Sequence, residues 1–268
     1  MSDLGRALRA MPTLFRVGFA SSLAYRSEFL VWILATNMPL VMLALWSEVA
    51  REAPIGRYGQ KELTAYFLAT LIVRQLTGSW VVWEMNAEIR QGTLAQRLLR
   101  PIHPILSYAA DNLAALPLRA LIAFPVAGIA LWVTGRGAIA SDPVLWLIAP
   151  LAIVGAWVIS FSAMFLIGTL GLYWESSLAV WDFWFGSYVI FSGYLMPVEF
   201  MPAWMGTILR SSPFPYMLSF PVEACLGTVT RQAAMRDLGI EWLYAVGILG
   251  TALWSWKRGL ARFAAYGG

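Results

Sequence analysis

The chain has 268 residues, 59% of them hydrophobic and only 13% charged, with one cysteine, one histidine and a net charge of +4. A soluble domain carries about 25% charged residues, so this composition belongs to a membrane and leaves little length for a separate soluble domain. Cys225 and His103 stand alone, which excludes an intrachain disulfide and a Cys/His metal or redox site; the basic balance reads as loops facing anionic lipid, with no nucleic-acid partner.

The first 28 residues carry Arg6, Arg9, Arg16 and Arg26 and no apolar run of signal-peptide length, so no cleavable leader is expected. Leu8, Met11, Leu14, Phe15, Phe19 and Leu23 recur mostly at spacings of three and four. That spacing predicts an amphipathic helix lying in the cytoplasmic interface, in preference to a frayed tail.

Six stretches are long and apolar enough to span a bilayer: 29–47, 64–83, 112–134, 144–173, 178–196 and 239–256. The fourth is uncharged throughout and longer than one bilayer, so it tilts or projects. Six spans put both termini on one side. With the termini inside, ten Lys and Arg residues lie inside and seven outside, which orients the termini to the cytoplasm. Trp46, Trp83, Trp132, Trp146, Trp174 and Trp254 fall where interface belts belong. Between the last two spans, the apolar stretch 197–238 is broken by Pro197, Pro202, Pro213, Pro215 and Pro221; its short runs predict re-entrant or interfacial helices.

A Walker loop ends in Gly-Lys-Ser/Thr. The two lysines here, Lys61 before Glu62 and Lys257 before Arg258, are not in that setting, and no Gly-x-Ser-x-Gly or His-Glu-x-x-His occurs. The chain is therefore expected not to be an enzyme. A proton- or sodium-driven carrier keeps acidic residues near mid-membrane. The spans read as holding almost none, with Glu175 and Asp182 flanking the fourth-to-fifth turn. Asn37, Arg74 and Gln75 are the mid-span polar residues. A mid-membrane charge costs roughly 2.5–3.5 kcal/mol on insertion scales. Arg74 thus reads either as a pathway-lining cation or as an internally paired one, and Arg119 as a snorkelling side chain near the cytoplasmic end of its span.

Between the second and third spans runs EIRQGTLAQRLLRPIHP, residues 88–104. Thr93 can cap a short helix in which Leu94, Leu98 and Leu99 form an apolar face, with Arg90, Arg97 and Arg100 off that stripe and Pro101 and Pro104 as stops. Periodicity leaves two readings open: a peg seated in a partner's groove, or a helix resting on lipid headgroups.

Gly92-Thr93-Leu94, Leu98-Leu99-Arg100-Pro101 and Pro104 resemble the first cytoplasmic loop of ABC-2 type transporter permeases. Ser192-Gly193, Met196-Pro197, Met201-Pro202, Trp204, Pro213-Phe214, Pro221 and Gly227 resemble the same family's block between the fifth and sixth spans. The resemblance implies one all-α integral membrane domain over 1–268, multi-pass in a bacterial inner membrane. The chain would be the transmembrane subunit of an ABC exporter, partnered by two copies of a separate ATPase that carries ATP and Mg, and by a second permease chain, identical or sister. Residues 91–100 would be the coupling helix, with Glu88, Arg90, Thr93, Leu94, Arg97, Leu98, Leu99 and Arg100 meeting the ATPase. The N-terminal helix would be the connecting helix, and 197–227 the re-entrant helices. Spans one, two and five would line the pathway, making Asn37, Arg74, Gln75, Trp181, Trp184 and Tyr188 its candidates; lipid anchoring is the other reading for any single ring. The competing class, a self-sufficient secondary transporter or channel, requires mid-membrane acids or repeated halves.

Overall fold

The computed structural model describes residues 3–24, 38–134, 140–174 and 177–262. Among these, regular structure is helical apart from one isolated bridge between Ile55 and Tyr58. The helices are α1 (Asp3–Ala24), α2 (Met38–Glu52), α3 (Gln60–Thr77), α4 (Val81–Arg90), α5 (Leu94–Leu98), α6 (Pro104–Ala114) and α7 (Leu116–Thr134). They continue with α8 (Pro143–Leu170), α9 (Ser177–Phe191), a 3-10 turn (Val198–Phe200), α10 (Ala203–Arg210), α11 (Phe214–Met217), α12 (Ser219–Leu226) and α13 (Arg231–Leu260).

Among the described residues, four helical stretches are long and apolar enough to cross a membrane: Gln60–Arg90, Pro104–Val126, Pro143–Leu170 and Arg231–Leu260; Ser177–Phe191 is a shorter apolar helix. The first expected span lies partly outside the described residues, and α2 covers its second half and runs on to Glu52. Large apolar side chains such as Leu121, Phe124, Leu147, Leu243 and Val246 point outward, as a lipid-bathed bundle requires.

Two spans are broken where the sequence reads as continuous. α3 stops at Thr77 and α4 starts at Val81, across an extended Gly78 (φ −61°, ψ 141°). In a membrane the freed backbone groups need partners. Asn112, fully buried on α6, provides them: its Oδ1 accepts from Ser79 Oγ at 2.9 Å and from the Trp80 amide at 3.2 Å, and its Nδ2 donates to the Tyr108 carbonyl. The third span is likewise two helices jointed at Ala115, just before Pro117, whose ring nitrogen cannot donate to the ladder.

Helices α8 and α13 run side by side in the same direction. Gly155 meets Glu241, and Thr169 Oγ1 meets Ser255 Oγ at 2.9 Å, so a register of 86 residues holds along the pair. Small residues at the seam, Ala152, Gly155 and Ala156 against Ala245 and Ala252, allow this approach.

The core is two apolar clusters, one at each end of the bundle. One gathers Tyr58, Phe67, Ile148, Tyr216 and Leu218; the other gathers Val82, Met85, Leu94, Phe165 and Trp256. At the first end the segment after α9 is stitched to distant elements: Trp46 Nε1 donates to the Leu195 carbonyl at 2.8 Å, Tyr66 Oη to the Gly193 carbonyl at 2.8 Å, and Arg57 pairs with Glu199. Gly193 has φ +90°, and a Cβ there would lie 2.5 Å from Tyr66 Oη, so only glycine turns the chain here. At the other end α1 packs on α6, with Gly18 against Ala114 and Asp111. Its apolar face is thus spent partly on protein: Met11, Leu14 and Phe15 are half-buried, while Val17, Phe19 and Leu23 are exposed.

Candidate functional site

α3 and α4 together run about 46 Å at 1.5 Å per residue, longer than a hydrocarbon layer of about 30 Å. Gly92, at φ +73°, turns the chain from α4 into α5. Thr93 sits at the helix start without a side-chain cap. The three leucines of the expected stripe are split: Leu94 is fully buried, Leu98 half-buried, and Leu99 is 86% exposed. Arg90 and Arg100 are exposed.

Arg97 faces inward, at 7% exposure. Its Nε reaches both carboxylate oxygens of Glu88 at 3.0 Å, Nη2 reaches Glu84 at 3.0 Å, and Nη1 reaches Ser107 Oγ at 2.9 Å and Asp111 at 3.1 Å. The guanidinium lies 3.8 Å from the centre of the Tyr108 ring, whose hydroxyl donates to Glu88. Burial by itself would lower the Arg97 pKa; the hydrogen bond to Glu88 and the charges of Glu84 and Glu88 reverse that and hold it above the ordinary value. α5 is therefore bolted to α4 through Glu84 and Glu88, and to α6 through Ser107, Tyr108 and Asp111. Sequence reading missed the α6 partners, although Ser107 and Asp111 share a helical face at a spacing of four.

The mid-span candidates divide. Arg74 lies 5.7 Å from the centre of the Tyr188 ring and hydrogen-bonds with Tyr194. Gln75 is buried, and its carbonyl accepts from Arg119 Nη1 at 3.3 Å. Trp181 packs at 5.1 Å on Trp83 and at 5.6 Å on Phe185, while Trp184 turns to Phe214 at 4.9 Å. Asn37 lies outside the described residues.

Arg119 does not snorkel. It is 4% exposed, donates to the Gln75 and Gly78 carbonyls, and sits 4.4 Å from the Trp80 ring. The reason is that its helix pair begins at Pro104, which puts Arg119 at mid-length, opposite the break in the second span. A Cβ on Gly78 would stand 3.1 Å from Arg74 Nη1 and 3.2 Å from Arg119 Nη1, so the two guanidiniums approach within roughly 6 Å. At an effective dielectric of 20, like charges at that separation repel by about 3 kcal/mol.

One acid stands where the spans were read as almost free of them. Glu241, ten residues into α13, is fully buried, and neither carboxyl oxygen has a hydrogen-bond partner among the described residues.

Long apolar helices, with a bolted loop helix at one end and a stitched helical segment at the other, define a multi-pass membrane protein. The family model described as ABC-2 family transporter protein matches residues 32–267, and the chain belongs to that family. Comparison with curated proteins gave no match. Membership makes the chain a permease component of an ABC transporter, a membrane subunit that associates with an ABC ATPase and is not itself that ATPase.

Proposed function

We propose that this chain forms half of the translocation pathway of an ATP-driven exporter in a bacterial inner membrane. It has six spans, both termini in the cytoplasm, re-entrant helices within 197–227, and a second permease chain, identical or sister, across the pathway. Two ATPase subunits bring ATP and Mg. The segment 91–100 is the coupling helix, and closure of the ATPase pair pushes it and biases the permease between inward- and outward-facing states.

The observation that carries this reading is the Arg97 lock. A loop helix held by three carboxylates from two spans moves with those spans as one body, while Leu99 and Arg100 stay exposed for a partner. The test is co-purification of an ATPase with the full chain. Recruitment that charge reversal at Arg100 abolishes supports the reading; a chain that recruits no ATPase overturns it.

A second reading, an ATP-independent secondary transporter or channel, draws on Glu241, since a buried acid within a span marks cation coupling in such carriers. Glu241→Gln separates the two: transport by a cation-coupled carrier stops, and ATP-driven export continues.

A further inference from the structure

The second span breaks near its midpoint, at Gly78–Trp80. Non-helical backbone at that depth is tolerated only inside protein or beside a cavity. Two arginines converge on the break from different helices, Arg74 from α3 and Arg119 from α7, and the missing side chain of Gly78 leaves the space they share.

Among the described residues, every partner of these arginines is neutral. Arg119 has two backbone carbonyls and the Trp80 ring; Arg74 has Tyr188 and Tyr194. Arg74 Nε is buried with no acceptor among the described residues. Among the described residues no carboxylate forms an ion pair with either. The contrast lies in the same chain. Arg97, about as buried as Arg119 and more so than half-buried Arg74, is surrounded by three carboxylates. A fold that neutralises one buried arginine so fully leaves two others facing each other unneutralised, in the more apolar place. A pair of guanidiniums presents planar donor forks that match a tetrahedral oxyanion, and aromatic rings beside them suit an apolar chain.

We propose that Arg74 and Arg119 form an anion-binding site within the membrane, which takes the phosphate-type oxyanion head of an amphiphile while its tail lies along Tyr188 and Trp80. This rests on the permease reading and adds a substrate class to it: the cargo is an anionic amphiphile. The same head group could reach the site from a resident anionic phospholipid, so the experiment separates the two sources.

The full-length chain is placed in phosphatidylcholine nanodiscs, and binding of isotope-labelled dodecyl phosphate, dodecyl maltoside and dodecyltrimethylammonium is measured over empty nanodiscs. Dodecyl phosphate is expected to bind saturably and at least about tenfold more tightly than either other probe. Arg74→Gln is expected to remove about tenfold of that affinity, and Arg74→Lys, which keeps the charge, to remove less. Equal binding of the three probes, or dodecyl phosphate binding unchanged by Arg74→Gln, overturns the site. Where Arg74→Gln does not run as a folded species on size exclusion, the probe ranking of the unsubstituted chain decides. Phosphatidylglycerol added to the bilayer then identifies the source. Displacement of dodecyl phosphate assigns the site to a membrane lipid and overturns the cargo assignment; no displacement assigns it to cargo. Failure of the permease reading shows separately, as a chain that recruits no ATPase whatever the probe ranking.

Discussion

Glu241 stands against Gly155 in the seam between α8 and α13, so closely that a Cβ on residue 155 would lie 2.8 Å from the Glu241 carboxyl carbon. The carboxyl fills the space that a larger residue 155 would take. Gly155→Leu is expected to cost about 1–3 kcal/mol or more, as overpacking does, and to lower the melting temperature in detergent by several degrees. Glu241→Ala in the same chain should restore part of it, because the two substitutions share one volume. Additive losses in the double variant would show that the two side chains do not compete.

Removing Arg97 leaves Glu84, Glu88 and Asp111 crowded together without the cation they share. Arg97→Met is expected to destabilise by about 3–5 kcal/mol, the cost of an orphaned buried charge. Arg97→Lys recovers little of this, since one ammonium cannot reach oxygens presented from α4 and α6 at once. Limited proteolysis within 91–103 checks the local effect: cleavage should rise sharply in both variants while the spans stay protected. Unchanged cleavage would mean that α5 is held by its leucines alone.

What could be read from the sequence followed local rules. Apolar length marked the stretches 144–173 and 239–256, which fall on the helices Pro143–Leu170 and Arg231–Leu260, and prolines marked the broken segment after α9. The stripe of Leu94, Leu98 and Leu99 failed on geometry that was available: at 100° per residue Leu98 lies about 40° from Leu94, but Leu99 lies about 140° away. The break at Gly78 was not legible, because Asn112, which accepts the Trp80 amide, lies 32 residues from Trp80 in the chain. Arg97 turns inward for the same kind of reason, since Ser107 and Asp111 come from the next helix. Glu241 was in plain view within the last apolar stretch and was outweighed by its neighbours.

His103 gives the loop a pH dependence. Its Nδ1 accepts the Ile105 amide at 3.3 Å and so caps α6, and burial holds its pKa below the ordinary value. The folded chain therefore binds this proton less readily than the unfolded chain. The cap's contribution, on the order of 1 kcal/mol, is fully present above the unfolded pKa of about 6.5 and is lost as pH falls through the lower folded value. The hydrogen-exchange protection factor at Ile105 and Leu106, which corrects for the intrinsic pH dependence of exchange, should fall on acidification. In His103→Asn, which caps without titrating, it should stay flat; the same acid response in that variant would assign the effect to another group.

Among the described residues, Leu99 is 86% exposed and the exposed Arg100 makes a 3.3 Å hydrogen bond to Ser107 Oγ. An exposed leucine beside an arginine, on a helix bolted from behind, is the arrangement of an interface anchor, and such anchors lose about 2 kcal/mol or more of binding on truncation. Surface changes of this kind leave a fold within about 0.5 kcal/mol. Leu99→Asp and Arg100→Glu are therefore expected to leave the melting temperature of the isolated chain unchanged and to reduce ATPase co-purification at least tenfold, a loss of about 1.4 kcal/mol. A fall in melting temperature together with recruitment would make these residues part of the fold and remove them from the interface.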